Sequence, residues 1–358
     1  MRKNNIKFTW LVIVALSVSA VELGCEREQK SAPKKQQKKK EEKNKYSETK
    51  MLMGTVVQMD VCLDQAGMSE IKSAYEDAWK RLKDVSERMS LSGSLSDITK
   101  LNHSAREAVS VEEDTYYVLK RSIDFSRSTK GAFDVTVWPL MNLWRKSERN
   151  NVVPEKLLIR RVQFAVGFEN IQLLGNHRVR LLNQWSKMDL GAIAKGYAVD
   201  EAARVFRQHG IERFFIDAGG DVYVGGKNCS GETWRIGIRD PQDGSKIIDV
   251  VKVENQAVAT SGDYEQYYEI QGQKWSHIIN PVTGYPQKGV ISASVIAPTA
   301  LEADALATTL CVLGGVSGTE HIDALTDEPR ASLIITKLPS GDIKRYESAG
   351  YKEYKHTE

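Results

Sequence analysis

The chain has 358 residues, a formal net charge of +3, 41% hydrophobic residues and four cysteines. Its basic surplus lies in the first 50 residues, whose 13 basic and 6 acidic side chains leave −4 for residues 51–358. A mildly acidic body excludes nucleic acid as a partner, and Cys62, Cys229 and Cys311 are isolated, without metal-ligand spacing or a disulfide framework.

Arg2, Lys3 and Lys7 precede an apolar run at residues 8–21, too short for a membrane span, which reads as the core of a signal peptide. Gly24-Cys25 directly after it resembles a lipobox, with Cys25 as the lipidated mature N-terminus, although Glu22 stands where a Leu is expected. An uncleaved anchor or an ordinary signal peptide is the alternative. Residues 25–50 are Lys, Gln and Glu with little apolar content and are expected to form a disordered tether. The expected organisation is a lipoprotein signal peptide at 1–24, a tether at 25–50 and a folded domain at 51–358, exported and lipid-anchored on the periplasmic side of the membrane.

In the folded part, residues 53–63 alternate as a strand. Residues 67–89 read as a helix with Ile71, Ala74, Ala78, Leu82 and Val85 on one face. A Ser-rich loop then enters a short helix at Asp97, and residues 115–129 form a further amphipathic helix. Gly131-Ala-Phe-Asp-Val-Thr brings a Phe-Asp pair out on a turn, and residues 142–162 are charged and without a clear pattern. A hairpin is expected over 171–188, turning at Gly175-Asn176. Asp189-Leu-Gly-Ala-Ile-Ala-Lys-Gly runs into a helix through Ala202, Val205 and Phe206, and such a turn offers free N–H groups to phosphates.

Residues 214–226 read as strand, Gly-Gly turn, strand, and 234–238 and 247–253 supply two more strands. Thr260-Ser-Gly-Asp ends another strand in polar groups, and His277-Ile-Ile-Asn-Pro-Val-Thr-Gly reads as a strand leading into a turn. Residues 291–297 feed the last clear helix, which starts on a capping box at Thr299 and Glu302 and stops at Gly314-Gly315. Leu306, Leu310 and Leu313 share one face of that helix, while Asp304 and Thr308 lie together on roughly the opposite face beside Ala300, Ala303, Ala307 and Cys311. No Lys or Arg occurs between Lys288 and Arg330, so Asp304 is expected to be a lone carboxylate on a buried helix, in need of a partner. With Thr308 one turn on it makes the start of a Mg²⁺ site; a core Asp bonded to backbone amides is the alternative. Strands in runs with helices between them indicate an α+β body.

The ordered set Met53-Gly-Thr, Gly131-Ala-Phe-Asp-Val-Thr, Asp189-Leu-Gly-Ala-Ile-Ala-Lys-Gly, Asp217-Ala-Gly-Gly-Asp, Thr260-Ser-Gly-Asp-Tyr, His277-Ile-Ile-Asn-Pro-Val-Thr-Gly and Ala303-Asp-Ala-Leu-Ala-Thr-Thr resembles the ApbE family of FAD:protein FMN transferases. The resemblance implies a T-fold-like flattened antiparallel core with packed helices. It implies FAD as substrate, Mg²⁺ as cofactor, transfer of FMN to a Thr or Ser of an acceptor protein, and release of AMP. Family acceptors are flavoprotein subunits of membrane redox complexes of the Rnf or sodium-translocating NADH:quinone reductase type. Carried over by motif, Met53, Ala132, Phe133, Asp134, Asp189, Lys195 and Ile278 hold the flavin nucleotide. Asp304, Thr308 and the carbonyl of Ala192 hold the metal, and His277 is the candidate general base. Asp221 and Asp263 follow Gly and read first as turn-stabilising. Two departures stand out: Ser92 where many members have a Tyr, and Ala307 where some carry a second metal-site Asp, so one Mg²⁺ is expected. The alternatives are an FAD pyrophosphatase using the same pocket with water as the attacking group, and a flavin-binding lipoprotein without catalysis. The Asp304–Thr308 pair argues against the latter.

Overall fold

The computed structural model describes residues 44–104, 106–263 and 266–356. The signal peptide, Cys25 and most of the tether lie outside them. The central element is an eight-stranded antiparallel sheet in the order β1 (Lys45–Leu52), β2 (Thr55–Cys62), β6 (Phe214–Ala218), β7 (Asp221–Gly225), β10 (Gln256–Gly262), β13 (Val290–Ala297), β14 (Ala331–Lys337) and β15 (Ile343–Glu347). Three small antiparallel sheets flank it: β3 (Ala108–Ser110) with β5 (Arg178–Leu181) and β4 (Ile171–Leu174), β8 (Trp234–Arg239) with β9 (Ile247–Val253), and β11 (Tyr267–Ile270) with β12 (Gln273–Ser276). The expected α+β architecture, an antiparallel core with packed helices, is what forms.

Alternation along the central strands builds a core on each face. In β10, Ala257 and Ala259 enter one core while Val258 enters the other, and in β13 Val295 and Ile296 divide in the same way. The small residues of β10 and β13 admit the helical layer: α1 (Met68–Met89), α6 (Ala194–Gln208) and α7 (Ala300–Leu313). The opposite face is covered by β8, β9 and the short α9 (Tyr351–Tyr354), through Ile236, Val251 and Tyr351. A third cluster joins α4 (Trp138–Asn150) and α5 (Lys156–Gln163) to the β11–β12 hairpin around Trp144, Ile159 and Ile270. The remaining helices are α2 (Asp97–His103), α3 (Glu113–Ser128) and α8 (Gly315–Asp323).

Four expectations are corrected. The tether does not run to Lys50, because β1 starts at Lys45 and pairs along its whole length with β2. Its composition resembles the tether because it is an edge strand, where Lys side chains are tolerated. Cys62 and Cys229 form a disulfide across a sequence separation of 167. That pairing is set by the return of the chain after β7 to the end of β2, which spacing does not reveal; Cys311 is a buried thiol outside that disulfide, as expected of a core cysteine. Residues 142–162 hold most of α4 and all but the last residue of α5, with Pro near the start of α4 and Asn151 in the left-handed region at its end. His277 lies after β12 rather than in a strand, and Asn280 turns the chain by accepting from the Val282 and Thr283 amides.

Candidate active site

Helix α7 is the buried wall of the site. Thr299 caps it by accepting from the Glu302 amide at 3.2 Å, and Gly314 closes it at φ 84°. Glu302 does not complete the capping box; its carboxylate pairs with Arg330. Asp200 of α6 takes part of that task, accepting from the Ala300 and Leu301 amides at 2.7 and 2.8 Å. The two helices meet at Gly196, where a Cβ would stand 2.1 Å from the Ala300 carbonyl oxygen. Only glycine permits that approach, and it places the Gly196 amide 3.1 Å from Asp304 Oδ2.

The same approach corrects the expectation of a lone Asp304. Lys195, in the first turn of α6, sets its Nζ 3.3 Å from both Asp304 oxygens and 2.6 Å from Asp221 Oδ2. The two carboxylates are almost fully buried and the lysine is 29% exposed. Burial opposes the ammonium charge, but Asp221 and Asp304 outweigh it and hold Lys195 well above the ordinary lysine range. Asp221 is therefore part of the charged cluster and not only a turn residue. Its position at the start of β7 follows from the Gly219-Gly220 turn, both glycines at positive φ. Thr308 lies one helical turn from Asp304, with Oγ1 3.3 Å from Ser261 Oγ of β10.

At the other end stands the turn of Ala132, Phe133 and Asp134. Asp134 Oδ1 accepts from the Thr136 amide and hydroxyl at 2.7 and 2.6 Å, and Oδ2 from the Phe168 amide at 2.8 Å. Both of its oxygens are thus engaged in holding the turn. Burial pushes the Asp134 carboxyl up, against the hydrogen bonds that lower it. Asp189 accepts from the Gly191 amide at 2.7 Å and is likewise pushed up by burial. His277 donates from Nδ1 to the Gln266 carbonyl at 2.8 Å, since a carbonyl oxygen only accepts. Nε2 is left as the basic nitrogen. Burial lowers the His277 pKa, the Gln266 hydrogen bond opposes that shift, and the Lys195 charge adds to it.

All eleven residues expected to form the site line one cleft of about 690 Å³: Met53, Ala132, Phe133, Asp134, Asp189, Ala192, Lys195, His277, Ile278, Asp304 and Thr308. Sequence reading missed Val137, Met141 and Arg145, which line the same cleft from the start of α4. Their spacing of four residues is the helical signal that was available in that stretch. Ser92 lies outside this cleft, on a shallower depression formed with Ser90 and Gly93.

An antiparallel core carrying a deep cleft with the Lys195–Asp221–Asp304 cluster in its wall defines an α+β enzyme for a small molecule. Residues 53–332 match the ApbE family, and the chain belongs to it. It is 34% identical over 309 residues to the FAD:protein FMN transferase of Vibrio cholerae, covering 84% of this chain and 90% of that one. The FAD:protein FMN transferase of Haemophilus influenzae is 33% identical over 309 residues, covering 83% and 88%. Among solved structures, the ApbE protein of Thermotoga maritima superposes with a TM-score of 0.78 at 33% identity, covering 87% of this chain and all of that one.

Proposed function

We propose that this chain transfers the FMN moiety of FAD to a Thr or Ser hydroxyl of an acceptor protein and releases AMP. The observation that carries the reading is the meeting of the Lys195–Asp221–Asp304 cluster with Thr308 and His277 in one cleft, in a chain whose relatives are named FAD:protein FMN transferases. Phe133, Met53 and Ile278 supply apolar contact for an isoalloxazine ring. The Lys195 ammonium serves the pyrophosphate.

The reaction requires the acceptor oxygen to bond to the phosphorus on the riboflavin side while the bond to the AMP oxygen breaks. His277 Nε2 receives the acceptor proton, because its Nδ1–H is committed to Gln266. Lys195 donates to the non-bridging oxygens, where negative charge must be offset.

Two carboxylates around one ammonium leave a net negative charge beside the place where an anionic substrate must lie. The donor set is hard oxygen: Asp304, Thr308 and the Ala192 carbonyl. Among the described residues no group of three or more His, Cys, Asp or Glu side chains gathers at metal-binding spacing. This set fits Mg²⁺, which keeps few protein ligands and fills its shell with phosphate and water. When bound there, Mg²⁺ supplies neutralisation of the pyrophosphate charge.

Export with a lipid at Cys25 belongs to the same proposal, and a disulfide such as Cys62–Cys229 suits an oxidising compartment. No described helix is long and apolar enough to cross a membrane. The acceptors proposed are flavoprotein subunits of membrane redox complexes of the Rnf or sodium-translocating NADH:quinone reductase type. The test is incubation with FAD, Mg²⁺ and such a subunit, reading acceptor mass, AMP and free FMN together. A covalent gain of FMN with equimolar AMP is expected. Free FMN and AMP without a change in acceptor mass would make the chain an FAD pyrophosphatase.

A further inference from the structure

The three most exposed large hydrophobic side chains among the described residues are Phe164 (82%), Trp185 (70%) and Val282 (62%). They come from three separate loops, yet hydrogen bonds gather those loops at one corner. Asn183 Nδ2 donates to the Phe164 carbonyl at 2.7 Å, and Ser186 Oγ to the Ala165 carbonyl at 2.5 Å, so the two aromatic loops run side by side. Asn183 Oδ1 also accepts from the Trp185 amide at 2.9 Å, which fixes the loop that presents the indole. Gln163 Nε2 reaches the Val282 carbonyl at 2.9 Å and brings the third loop in. Well-hydrogen-bonded loops presenting bare aromatic rings are costly in water unless something covers them, and rigid aromatic anchors are what interfaces use.

This corner adjoins the cleft. Pro281, next to Val282, lines it, as does Ala132; the neighbouring Gly131 packs near Val282, where an added Cβ would lie 3.8 Å from Val282 Cγ2. The flank is basic: Arg160 and Arg161 in the last turn of α5 are exposed, stand four and three residues before Phe164, and form no ion pair among the described residues. We propose that Phe164, Trp185 and Val282, flanked by Arg160 and Arg161, form the docking surface for the acceptor protein, gripping a segment with apolar and acidic residues beside the hydroxyl that enters the cleft. The assignment rests on the flavin-transfer reading, in which the second substrate is itself a protein and must seat beside the cleft mouth. The positive flank matches carboxylates, and the aromatic pair matches apolar side chains.

The test uses the full chain with FAD, Mg²⁺ and two synthetic peptides. One has a Thr flanked by Leu, Phe and Asp; the other has Lys in place of each Asp. Labelling is followed by peptide mass and FAD affinity by flavin fluorescence. Expected is preferential labelling of the Asp peptide. Phe164→Ser with Trp185→Ser should raise its KM about tenfold or more, as loss of anchor residues does, with FAD affinity unchanged. Arg160→Glu with Arg161→Glu should turn the preference toward the Lys peptide. An unchanged peptide KM in both variants overturns the proposal, as does absence of any peptide labelling by a wild-type chain that binds and cleaves FAD. Loss of binding to phosphatidylcholine–phosphatidylglycerol vesicles in the variants, with peptide transfer intact, overturns it in favour of a lipid-facing surface. A wild-type chain that fails to bind FAD refutes the flavin-transfer reading itself and this proposal with it, an outcome separable from the others by the fluorescence measurement.

Discussion

Asp304→Asn discriminates between the charge a buried helix needs and the charge a metal brings. In the folded chain the Asp304 carboxylate faces Lys195 Nζ at 3.3 Å and the Gly196 amide at 3.1 Å. Asparagine keeps an oxygen for the amide but turns an NH₂ toward an ammonium. At an effective dielectric of about 20, the lost attraction is about 5 kcal/mol before desolvation is counted. Most of it is offset, because the carboxylate no longer has to be stripped of water and Lys195 keeps Asp221 at 2.6 Å. A net loss of about 1–3 kcal/mol remains, or roughly 2–4 °C in Tm for each kcal/mol. Wild type should gain stability with Mg²⁺, by about 2.7 kcal/mol at a hundred times Kd. Asp304→Asn should lose that response and AMP release together. Melting curves with and without Mg²⁺, alongside AMP assays, provide both readings. An Mg²⁺ response equal to wild type would place the metal elsewhere, and a metal-free variant more stable than wild type would show that Lys195 does not pair with Asp304.

Gly196→Ala drives a Cβ into the Ala300 carbonyl oxygen at 2.1 Å, where both partners are backbone; a cost of about 1–3 kcal/mol in urea unfolding is expected, with FAD affinity falling as α6 and α7 move apart. Cys62→Ser removes a link across 167 residues and should cost about 2–5 kcal/mol, an effect that dithiothreitol reproduces in the wild-type melt. His277 is held below the ordinary histidine value by burial, opposed by its Gln266 bond and aided by Lys195. Its neutral, basic form therefore persists below pH ~6.5, and the acidic limb of the kcat profile should fall below that value. The same shift contributes stability that is present above pH ~6.5 and is lost as pH falls through the folded value, because the unfolded chain then binds the extra proton. His277→Ala should remove the limb and lower kcat by about 10²–10⁴ while leaving FAD affinity nearly intact; equal losses in binding and rate would give His277 a structural role.

Helix α7 was legible from sequence because its signals are local: Thr299 and Gly314 mark its ends, and its apolar surround marks it as buried. The partner of Asp304 was not. Absence of Lys and Arg from the neighbouring sequence says nothing about a cation delivered by another helix, and Lys195 is 109 residues away in the chain. What delivers it is Gly196, whose missing side chain lets α6 lie against α7; the sequence shows the glycine but not the helix it admits. Cys62 and Cys229 escaped for the same reason, as their contact depends on the route of the sheet. The Asp134 motif is legible in sequence, but the hydrogen bonds of its carboxylate to Thr136 and Phe168 are not, since Phe168 lies 34 residues away in the chain. Motif residues thus divide by where their polar atoms point. Asp134 commits its oxygens to the Thr136 amide and hydroxyl and the Phe168 amide and holds shape, whereas Lys195 and His277 keep polar atoms available to the cleft. Substitution of the first kind should disturb binding and stability together, and of the second kind should separate rate from stability.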